Sequence, residues 1–453
     1  MESDQKVIVI GAGLAGLASA YALTDNRVEV TVLDAATYPG GRAAHIDIGG
    51  FQIELGANLF LKSYSTAISM ASCLGIPTKP TALPIHSGIY RNGRFHGLYG
   101  DRQLHNILKT VRTMLSFQLL SPKGVWQAMK FAKMVQDQAD KLSLDRPDHI
   151  LSIDFEQSAA EFFEREIGTE SLDWLYGPGL AGYTFANPEQ VGIAYAKAVL
   201  WHNGLNGVAW PEVPDGGMRA FVDALSRKCK SNIQYSTPVR RIQTENGAVR
   251  SVITDAGTIK ADAVICAIPA TAVLKIAPEL PEAMSHTLQR VAYSRCCRVF
   301  FGVDSSPLPE NWYAVGFPQK AGTMISGMSH LSLLSPQTAP QDKALIDALF
   351  IDKQADELFV LSDEQITGRA LLEIRKYFPR MSSRPLFSHV QKWPEAACLS
   401  TGGTLTALAH MQRQDCGSIH GLFFAGDYLG IPSLNSALQS GLDAASEVLK
   451  LLA

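Results

Sequence analysis

The first strongly apolar segment of the chain is a short β-branched run from Lys6 to Ile10, without alternating polar residues. Such a run is typical of a strand that is buried on both faces of a parallel sheet. Small and apolar residues from Leu17 to Leu23 then predict a buried helix, and Val28 to Leu33 predict a second strand. The chain therefore opens with a strand–helix–strand unit.

Later apolar runs extend this pattern. The runs 236–242 and 248–253 flank Glu245-Asn246-Gly247, and this turn chemistry predicts a β-hairpin. Residues 261–269 read as a buried strand that returns to the first sheet, and residues 442–452 as a helix. The pattern predicts a mixed α/β fold in which distant parts of the chain share one sheet.

Composition narrows the class of protein. The chain has 453 residues, 46% of them apolar, and a formal net charge of -3. This size predicts two or three structural units, and the charge balance gives no reason to expect nucleic acid as a partner. The N-terminus lacks a secretory pattern, and the seven scattered cysteines lack metal-ligand spacing. These features predict a cytoplasmic protein without a metal site or a spanning helix.

A glycine-rich segment directly follows the first strand. Gly11 permits a tight turn, Gly13 lets backbone N–H groups approach a pyrophosphate, and Gly16 lets the following helix pack closely on the sheet. Asp34 ends the second strand, where its carboxylate can accept hydrogen bonds from an adenosine ribose. Because strand, glycines, helix, strand and acid occur in this order, the segment predicts nucleotide binding.

Other segments favour a flavin over a nicotinamide nucleotide. Gly40-Gly41-Arg42 offers a close backbone approach and an arginine fork for phosphate oxygens. Gly56-Ala57-Asn58 follows a strand-like run. Near the C-terminus, Gly426-Asp427 ends another strand, and small residues after Ser433 lead into the last helix. Such a helix N-terminus can receive a ribityl chain and a polarised ring carbonyl.

Together these segments resemble the flavin-containing amine oxidase superfamily, which includes monoamine oxidases, protoporphyrinogen oxidases and carotene-desaturase-like enzymes. The resemblance extends from Val7 to Ala445. It implies an α/β fold with a Rossmann-type, glutathione-reductase-like FAD-binding domain and a partly helical α+β substrate domain. It also implies FAD, held by Gly11, Gly13, Leu14, Ala15, Gly16, Asp34, Gly40, Gly41, Arg42, Gly56, Ala57, Asn58, Val239, Gly426, Asp427, Ser433 and Leu434.

The same resemblance suggests how the chain divides. We assign residues 1–62, 215–307 and 390–453 to a discontinuous FAD-binding domain. Residues 63–214 and 308–389 would then form the substrate-binding domain, with a helical part near 102–205.

Lys275 is the candidate for redox chemistry. The segment Ile268 to Ile276 looks closely similar to monoamine oxidases, whose matching lysine holds a water against the flavin. The resemblance implies that Lys275 stabilises charge developing as electrons pass to oxygen. The alternative is a solvated loop lysine, since lysines are usually exposed.

Two features of monoamine oxidases are not matched. Nothing near Trp393 supplies the first tyrosine of their aromatic cage, and Ser433 takes the place of the second. This weakens the amine-oxidase interpretation, because a cage orients the substrate amine. Cys398 falls too early and Cys416 too late for the cysteine that tethers flavin in those enzymes, so we predict non-covalent FAD.

The central part of the chain bears on the substrate. Tyr176 to Phe185 resembles the protoporphyrinogen-oxidase and desaturase branch, and cavity candidates are Tyr183, Trp201, His202 and Trp393. Residues 102–142 read as largely helical, broken at Ser121-Pro122, with basic and apolar residues mixed. Such a segment can lie peripherally on an anionic membrane, take up a lipophilic substrate, or be an ordinary helix with a solvated cationic face.

Three functions remain open from the sequence. The first is an FAD-dependent oxidase that removes a hydride from a C–H next to nitrogen or in an activated ring or lipophilic small molecule, with O2 as acceptor and H2O2 as product. The second is a dehydrogenase, desaturase or redox-neutral isomerase of a lipophilic substrate. The third is a non-catalytic flavin-bound scaffold.

Overall fold

The computed structural model describes residues 5–81, 86–99, 104–144, 147–206, 211–229, 232–413 and 417–453. The strands are β1 Lys6–Ile10, β2 Glu29–Leu33, β3 His45–Ile48, β4 Phe51–Glu54, β5 Thr78–Pro80, β6 His86–Arg91, β7 Arg94–Tyr99, β8 Glu212–Pro214, β9 Asn232–Gln234, β10 Val239–Glu245, β11 Ala248–Thr254, β12 Gly257–Lys260, β13 Ala263–Cys266, β14 Ala292–Tyr293, β15 Cys296–Val303, β16 Trp312–Gly316, β17 Gly327–His330, β18 Ala344–Ile351, β19 Phe387–Trp393, β20 Cys398–Leu399 and β21 Leu422–Phe424. The α-helices are α1 Leu14–Asp25, α2 Ser65–Cys73, α3 Leu104–Leu115, α4 Pro122–Asp137, α5 Ala159–Phe162, α6 Gly177–Thr184, α7 Ile193–Leu200, α8 Gly217–Lys228, α9 Ala270–Ile276, α10 Glu282–Gln289, α11 Leu331–Leu334, α12 Asp352–Phe359, α13 Asp363–Tyr377, α14 Thr404–Gln412 and α15 Leu434–Leu452.

The first sheet is parallel and has the order β21-β13-β1-β2-β9. Its central strand β1 is buried on both faces: Val7 and Val9 belong to one apolar core, and Ile8 and Ile10 to another. Since β-branched side chains on both faces suit a covered parallel strand, the predicted strand–helix–strand unit and the returning strand near residue 264 are confirmed.

A helical layer and an antiparallel layer cover the two faces of this sheet. Helices α1 and α15 contribute to the core that contains Val7, and β10, β11 and α9 contribute to the core that contains Ile8. The hairpin between β10 and β11 is confirmed. Its turn residues Asn246 and Gly247 have φ angles of 53° and 74°, as a two-residue hairpin turn requires.

The C-terminal helix is longer than predicted. It begins at Leu434 rather than near residue 442, because the Ser433 hydroxyl caps it by accepting the N–H of Ser436. The polar residues that concealed this first part are buried against the protein: Asn435, for example, accepts the N–H of Ala67. A Cβ on Gly441 would overlap the carbonyl oxygen of Ala15, so a glycine is needed where α15 crosses α1.

The largest sheet has seven strands in the order β19-β15-β18-β17-β16-β6-β7. Its pairings are antiparallel except for β16 with β6. Strand β15 lies in this sheet, although residues 215–307 were assigned to the FAD-binding part, and β19 straddles the proposed boundary at 390. The division of the chain into two domains stays a prediction.

Residues 102–142 were predicted to be largely helical with a break at Ser121-Pro122. Helices α3 and α4 confirm this helical character and the break before Pro122, although Arg102 lies outside the described residues. No helix in the described part of the chain combines the length and the apolar character needed to cross a bilayer.

Candidate cofactor site and active site

The three glycines of the turn after β1 differ in the space around them: a side chain would clash at Gly11 and Gly16 but not at Gly13. Gly11 has a φ of 104°, and a Cβ on Gly16 would overlap the Gly11 carbonyl oxygen. Gly13 has an ordinary φ of -72°, and a Cβ there would meet no atom within 4 Å. Gly11 and Gly16 therefore shape the turn, whereas Gly13 borders open space in front of α1.

This open space suits a pyrophosphate. No side chain caps the N-terminus of α1, and its first turn, which includes Leu14 and Ala15, carries no acidic residue. The positive end of the helix dipole therefore faces the space without a competing anion. Gly40 and Gly41 border it on another side: the Gly40 N–H donates to the Ala12 carbonyl at 2.8 Å, and Gly41 lies against Gly13.

Asp34 and Val239 come together beyond the end of β2. The Asp34 carboxylate accepts the N–H groups of Ala12 and Ala36, the second at 2.7 Å. The Asp34 carbonyl accepts the Thr237 N–H at 2.8 Å, and Thr237 lies two residues before Val239, the first residue of β10. The structure thus places these two predicted adenosine contacts at one end of the glycine turn.

Arg42 contacts Asp427 rather than the glycine turn. Its guanidinium donates to both carboxylate oxygens, at 2.9 and 2.7 Å, and to the Ala396 carbonyl at 3.4 Å. Burial alone would lower the pKa of Arg42, but the adjacent Asp427 raises it, so the arginine stays charged. The sequence assigned Arg42 to the phosphates. The structure places its side chain at the Gly426-Asp427 corner, where the Gly426 N–H donates to the Ser440 hydroxyl at 2.8 Å. The phosphate contact of Arg42 stays a prediction.

Gly56-Ala57-Asn58 lies directly behind Arg42. The Ala57 N–H donates to the Arg42 carbonyl at 3.0 Å, and a Cβ on Gly56 would overlap the same oxygen. Asn58 donates to the Tyr313 hydroxyl at 3.3 Å. The segment therefore fixes the backbone of Arg42 and presents Gly56 where no side chain fits.

A buried ion pair that the sequence analysis missed supports this segment. Arg298 Nη1 donates to the carbonyls of Leu55 and Gly56, each at 3.0 Å, and its Nε donates to Asp347 at 2.8 Å. Arg298 and Asp347 are each at most 5% exposed. Each is a lone charge in an eight-residue strand that is otherwise almost entirely apolar, β15 or β18. Two apolar strands that each carry one charged residue, of opposite sign, indicate a buried ion pair, and the sequence could have been searched for this pattern.

Glu54 is a further buried carboxyl in this region. It accepts the Met218 N–H at 2.8 Å, next to the first residue of α8. Burial raises the pKa of Glu54 to about 7, although the Met218 N–H and Arg298 lower it.

This raised pKa predicts a pH-dependent effect of Glu54→Gln on stability. The folded protein holds the Glu54 proton more tightly than the unfolded chain between the ordinary carboxyl pKa of 4.5 and about 7, so stability falls as the pH rises through this window. We expect Glu54→Gln to raise the free energy of unfolding by about 3 kcal/mol near pH 8 and to change it little near pH 5.

Urea unfolding across this pH range measures the effect. Glu357→Gln on the exposed side of α12 is the matched control, and its pH profile should follow that of the wild-type protein. A Glu54→Gln profile parallel to the wild-type profile would contradict the assignment.

Three tyrosines from separate segments, Tyr183, Tyr195 and Tyr293, interact with the charge of Asp427, and a fourth, Tyr64, contacts Tyr183. The hydroxyls of Tyr64 and Tyr183 are hydrogen-bonded to each other, and Tyr195 donates to the Pro432 carbonyl at 3.3 Å. The Tyr293 ring lies 5.7 Å from the Arg42 guanidinium carbon. Burial raises the pKa of all four, that of Tyr183 to about 12. The sequence singled out Tyr183 only, because the other three lie in segments that read as ordinary core or loop.

The other substrate candidates divide into two places. Trp393 donates its indole N–H to the Leu55 carbonyl at 3.1 Å, so it lies near the Arg42 segment. The His202 Nε2 lies 2.6 Å from the Leu142 carbonyl oxygen. Trp201, directly after α7, packs against the apolar core to which α7 contributes. The described contacts thus place Tyr183 and Trp393 near the Arg42–Asp427 pair, and place Trp201 and His202 against the helical part.

Lys275 is exposed in the last turn of α9. It shares a helix face with Thr271, whose hydroxyl contacts Glu395, the residue before the Ala396 carbonyl that accepts from Arg42. Lys275 therefore lies about one helical turn from the segment that contacts Arg42. Its role in electron transfer to oxygen stays a prediction.

Cys398 is buried beside the Arg42–Asp427 pair. Burial raises the pKa of its thiol well above the ordinary value, and the Asp427 charge raises it further. Since the thiolate is the reactive form, this cysteine is poorly suited to tether a flavin. Cys416 lies outside the described residues. Non-covalent FAD remains our prediction.

Comparison with known proteins decides the family. The family described as flavin containing amine oxidoreductase matches residues 14–449. The chain belongs to this family. It is 23% identical to a mitochondrial protoporphyrinogen oxidase of Nicotiana tabacum, with 99% of this chain and 96% of the relative covered. It is 22% identical to the coproporphyrinogen III oxidase of Bacillus subtilis, with 100% and 99% covered.

Solved structures show the same fold. Cyclohexylamine oxidase from Brevibacterium oxydans matches with a TM-score of 0.75 and 20% identity, and 99% of both chains is covered. As a member of the flavin-containing amine oxidoreductase family, the protein is an FAD-dependent oxidoreductase with the predicted α/β fold. The open space at Gly13 and the uncapped α1 fit the pyrophosphate of FAD. Contact of the Gly426-Asp427 corner with the ribityl and ring end of FAD stays a prediction.

Proposed function

We propose that this protein is an oxidase that removes a hydride from a C–H next to nitrogen, or from an activated ring of a lipophilic small molecule. Oxygen would be the final electron acceptor and H2O2 the product. The observation that carries this proposal is the set of buried, neutral side chains around the Arg42–Asp427 pair. Bound FAD supplies the hydride acceptor at this place.

The protonation state of these side chains shows whether they can act as bases. Burial raises the pKa of Tyr64, Tyr183, Tyr195 and Tyr293, so these phenols keep their protons at neutral pH. A phenol in this state donates a hydrogen bond but does not abstract a proton from carbon. These four tyrosines therefore supply no general base for proton abstraction, which supports hydride transfer as the proposed route.

The same residues suggest how a substrate is held. The Tyr64 and Tyr183 hydroxyls share one hydrogen bond, which leaves oxygen lone pairs to accept from a substrate N–H. Their rings offer apolar surface that excludes water and orients the substrate. Two chemical classes meet these requirements: porphyrinogens, on which the tobacco and Bacillus relatives act by name, and amines, for which the family is named.

Anaerobic mixing with candidate substrates tests the reaction. Protoporphyrinogen, coproporphyrinogen III and cyclohexylamine are each mixed with the purified FAD protein, and bleaching of the flavin absorbance is followed before aerated buffer is added. We expect one class to bleach the flavin within seconds, and air to restore the absorbance rapidly with release of peroxide. No bleaching by any of the three would contradict the proposed substrate classes.

The rate of recovery in air separates the two catalytic alternatives. Recovery over minutes would favour a dehydrogenase, desaturase or isomerase instead, which the exposed position of Lys275 supports. If Lys275 assists oxygen, Lys275→Met slows recovery about a hundredfold, or roughly 2.7 kcal/mol of barrier, without slowing bleaching. The exposed Lys260→Met is the matched control, with wild-type rates for both steps. Equal recovery in the two variants would remove Lys275 from the mechanism.

A further inference from the structure

Helix α3 presents its polar side to the protein and its apolar side outward. Asn106 is 4% exposed, and the Thr110 hydroxyl accepts the backbone N–H of Tyr99 at 2.9 Å. Ile107, Leu108 and Leu115 are 43–59% exposed. This is the reverse of the arrangement expected for a helix on a globular protein in water.

The exposed apolar residues of α3 form one stripe. At 3.6 residues per turn, positions 107, 108, 111 and 115 fall within about 100° of the helix circumference. Helix α4, which contacts α3, adds Trp126 and Met129, 59% and 68% exposed. These exposed apolar residues of two adjacent helices, together with the exposed cations of the same segment, are called the α3–α4 face below. A surface of this kind indicates a binding partner.

The charge of the α3–α4 face indicates which partner. Residues 104–136 contain five lysines and arginines and no aspartate or glutamate, in a chain of net charge -3. All five are exposed: Lys109, Arg112, Lys123, Lys130 and Lys133. Asp137 pairs with Lys133, which leaves four cations without an acid on this segment. The Lys130 ammonium lies 5.5 Å from the Trp126 ring centre, so cation and aromatic residue occur side by side.

We propose that the α3–α4 face docks on an anionic lipid bilayer. Exposed aliphatic side chains, a tryptophan and flanking cations are the combination that holds a helix in the plane of a membrane interface. Helix α3 has 12 residues, about 18 Å, so it lies on the bilayer and does not span it. A second copy of the chain fits less well, since a two-fold dimer through this face would oppose two cationic surfaces. The proposal does not depend on the proposed oxidation.

Vesicle co-sedimentation of the FAD-loaded protein tests the proposal. The probes are vesicles of phosphatidylcholine alone and of phosphatidylcholine with a minority of phosphatidylglycerol. We expect binding at least about tenfold stronger to the anionic vesicles, weakened by salt. Leu108→Glu with Leu115→Glu should reduce this binding at least about tenfold. The matched control is Val360→Glu with Leu372→Glu, which changes exposed apolar residues just after α12 and on α13 and should bind as the wild type does.

Fluorescence identifies the docking face directly. Brominated lipid in the anionic vesicles should quench tryptophan emission, and Trp126→Phe should remove most of that quenching. Both altered residues of α3 are exposed, and near-UV circular dichroism and flavin absorbance check that each variant is folded. The proposal is overturned if the wild type binds neither vesicle, binds both equally, or keeps its quenching without Trp126. It is also overturned if sedimentation shows a dimer that the α3 variant dissociates and vesicles do not compete.

Discussion

Replacing Asp347 by alanine is expected to lower the free energy of unfolding by about 3–5 kcal/mol. The replacement leaves the Arg298 guanidinium buried without the carboxylate that it binds, while its hydrogen bonds to the carbonyls of Leu55 and Gly56 remain. The cost of a buried, uncompensated charge greatly exceeds that of a lost surface pair. Urea unfolding of the apoprotein measures this directly, free of any contribution from FAD binding.

Two further variants distinguish the charge from its position. Arg298→Met with Asp347→Leu removes both charges and should recover most of the lost stability, because breaking one half of a pair is costlier than replacing both. Asp304→Ala breaks the exposed pair with Lys343 and should change stability little. If Asp347→Ala were as mild as Asp304→Ala, Arg298 would have to reach water in the folded protein.

Gly13→Ala is expected to weaken FAD binding at least about a hundredfold, or roughly 2.8 kcal/mol, and to leave the apoprotein almost as stable as before. Its φ of -72° suits alanine, and a Cβ there meets no protein atom within 4 Å. The methyl group would instead fill the space into which the pyrophosphate fits. Titration of the apoprotein with FAD, followed by flavin fluorescence, gives the dissociation constant.

Alanine replacements of two other glycines serve as controls for Gly13→Ala. Gly368→Ala, on α13, also enters open space and should alter neither FAD binding nor stability adversely. Gly16→Ala should destabilise the apoprotein itself, because its Cβ would overlap the Gly11 carbonyl oxygen. An unchanged dissociation constant for Gly13→Ala would show that the pyrophosphate does not approach this backbone.

The parts of the fold that follow from local sequence were predictable. The glycine turn, the hairpin at Asn246 and the buried strand β1 each depend on residues that are close together in the chain. Family resemblance supplied the cofactor and the corner at Asp427. Predicting these features did not require knowing which side chains from distant segments face each other.

Contacts between distant segments were not predictable. Arg42 and Asp427 are 385 residues apart, and Arg298 is 243 residues from Leu55. Tyr64, Tyr183 and Tyr195 approach one another only through packing of separate helices and loops. The sequence also showed that α3 is amphipathic but not that Asn106 faces inward. A helical pattern specifies two faces, and only the tertiary structure determines which one meets the protein.

The crossing of α1 and α15 has a consequence for biosynthesis. Synthesis of β1 and α1 completes most of the nucleotide-contacting turn. Their packing against α15 must wait for Gly441, whose carbonyl accepts the hydroxyl of Ser19, 422 residues earlier. Strand β21 and Asp427 also arrive late. The nascent chain must therefore hold an incomplete parallel sheet until β21 has been made, which is a long exposure for such edges. Stable FAD capture should accordingly begin only after α15 has left the ribosome and packed on α1.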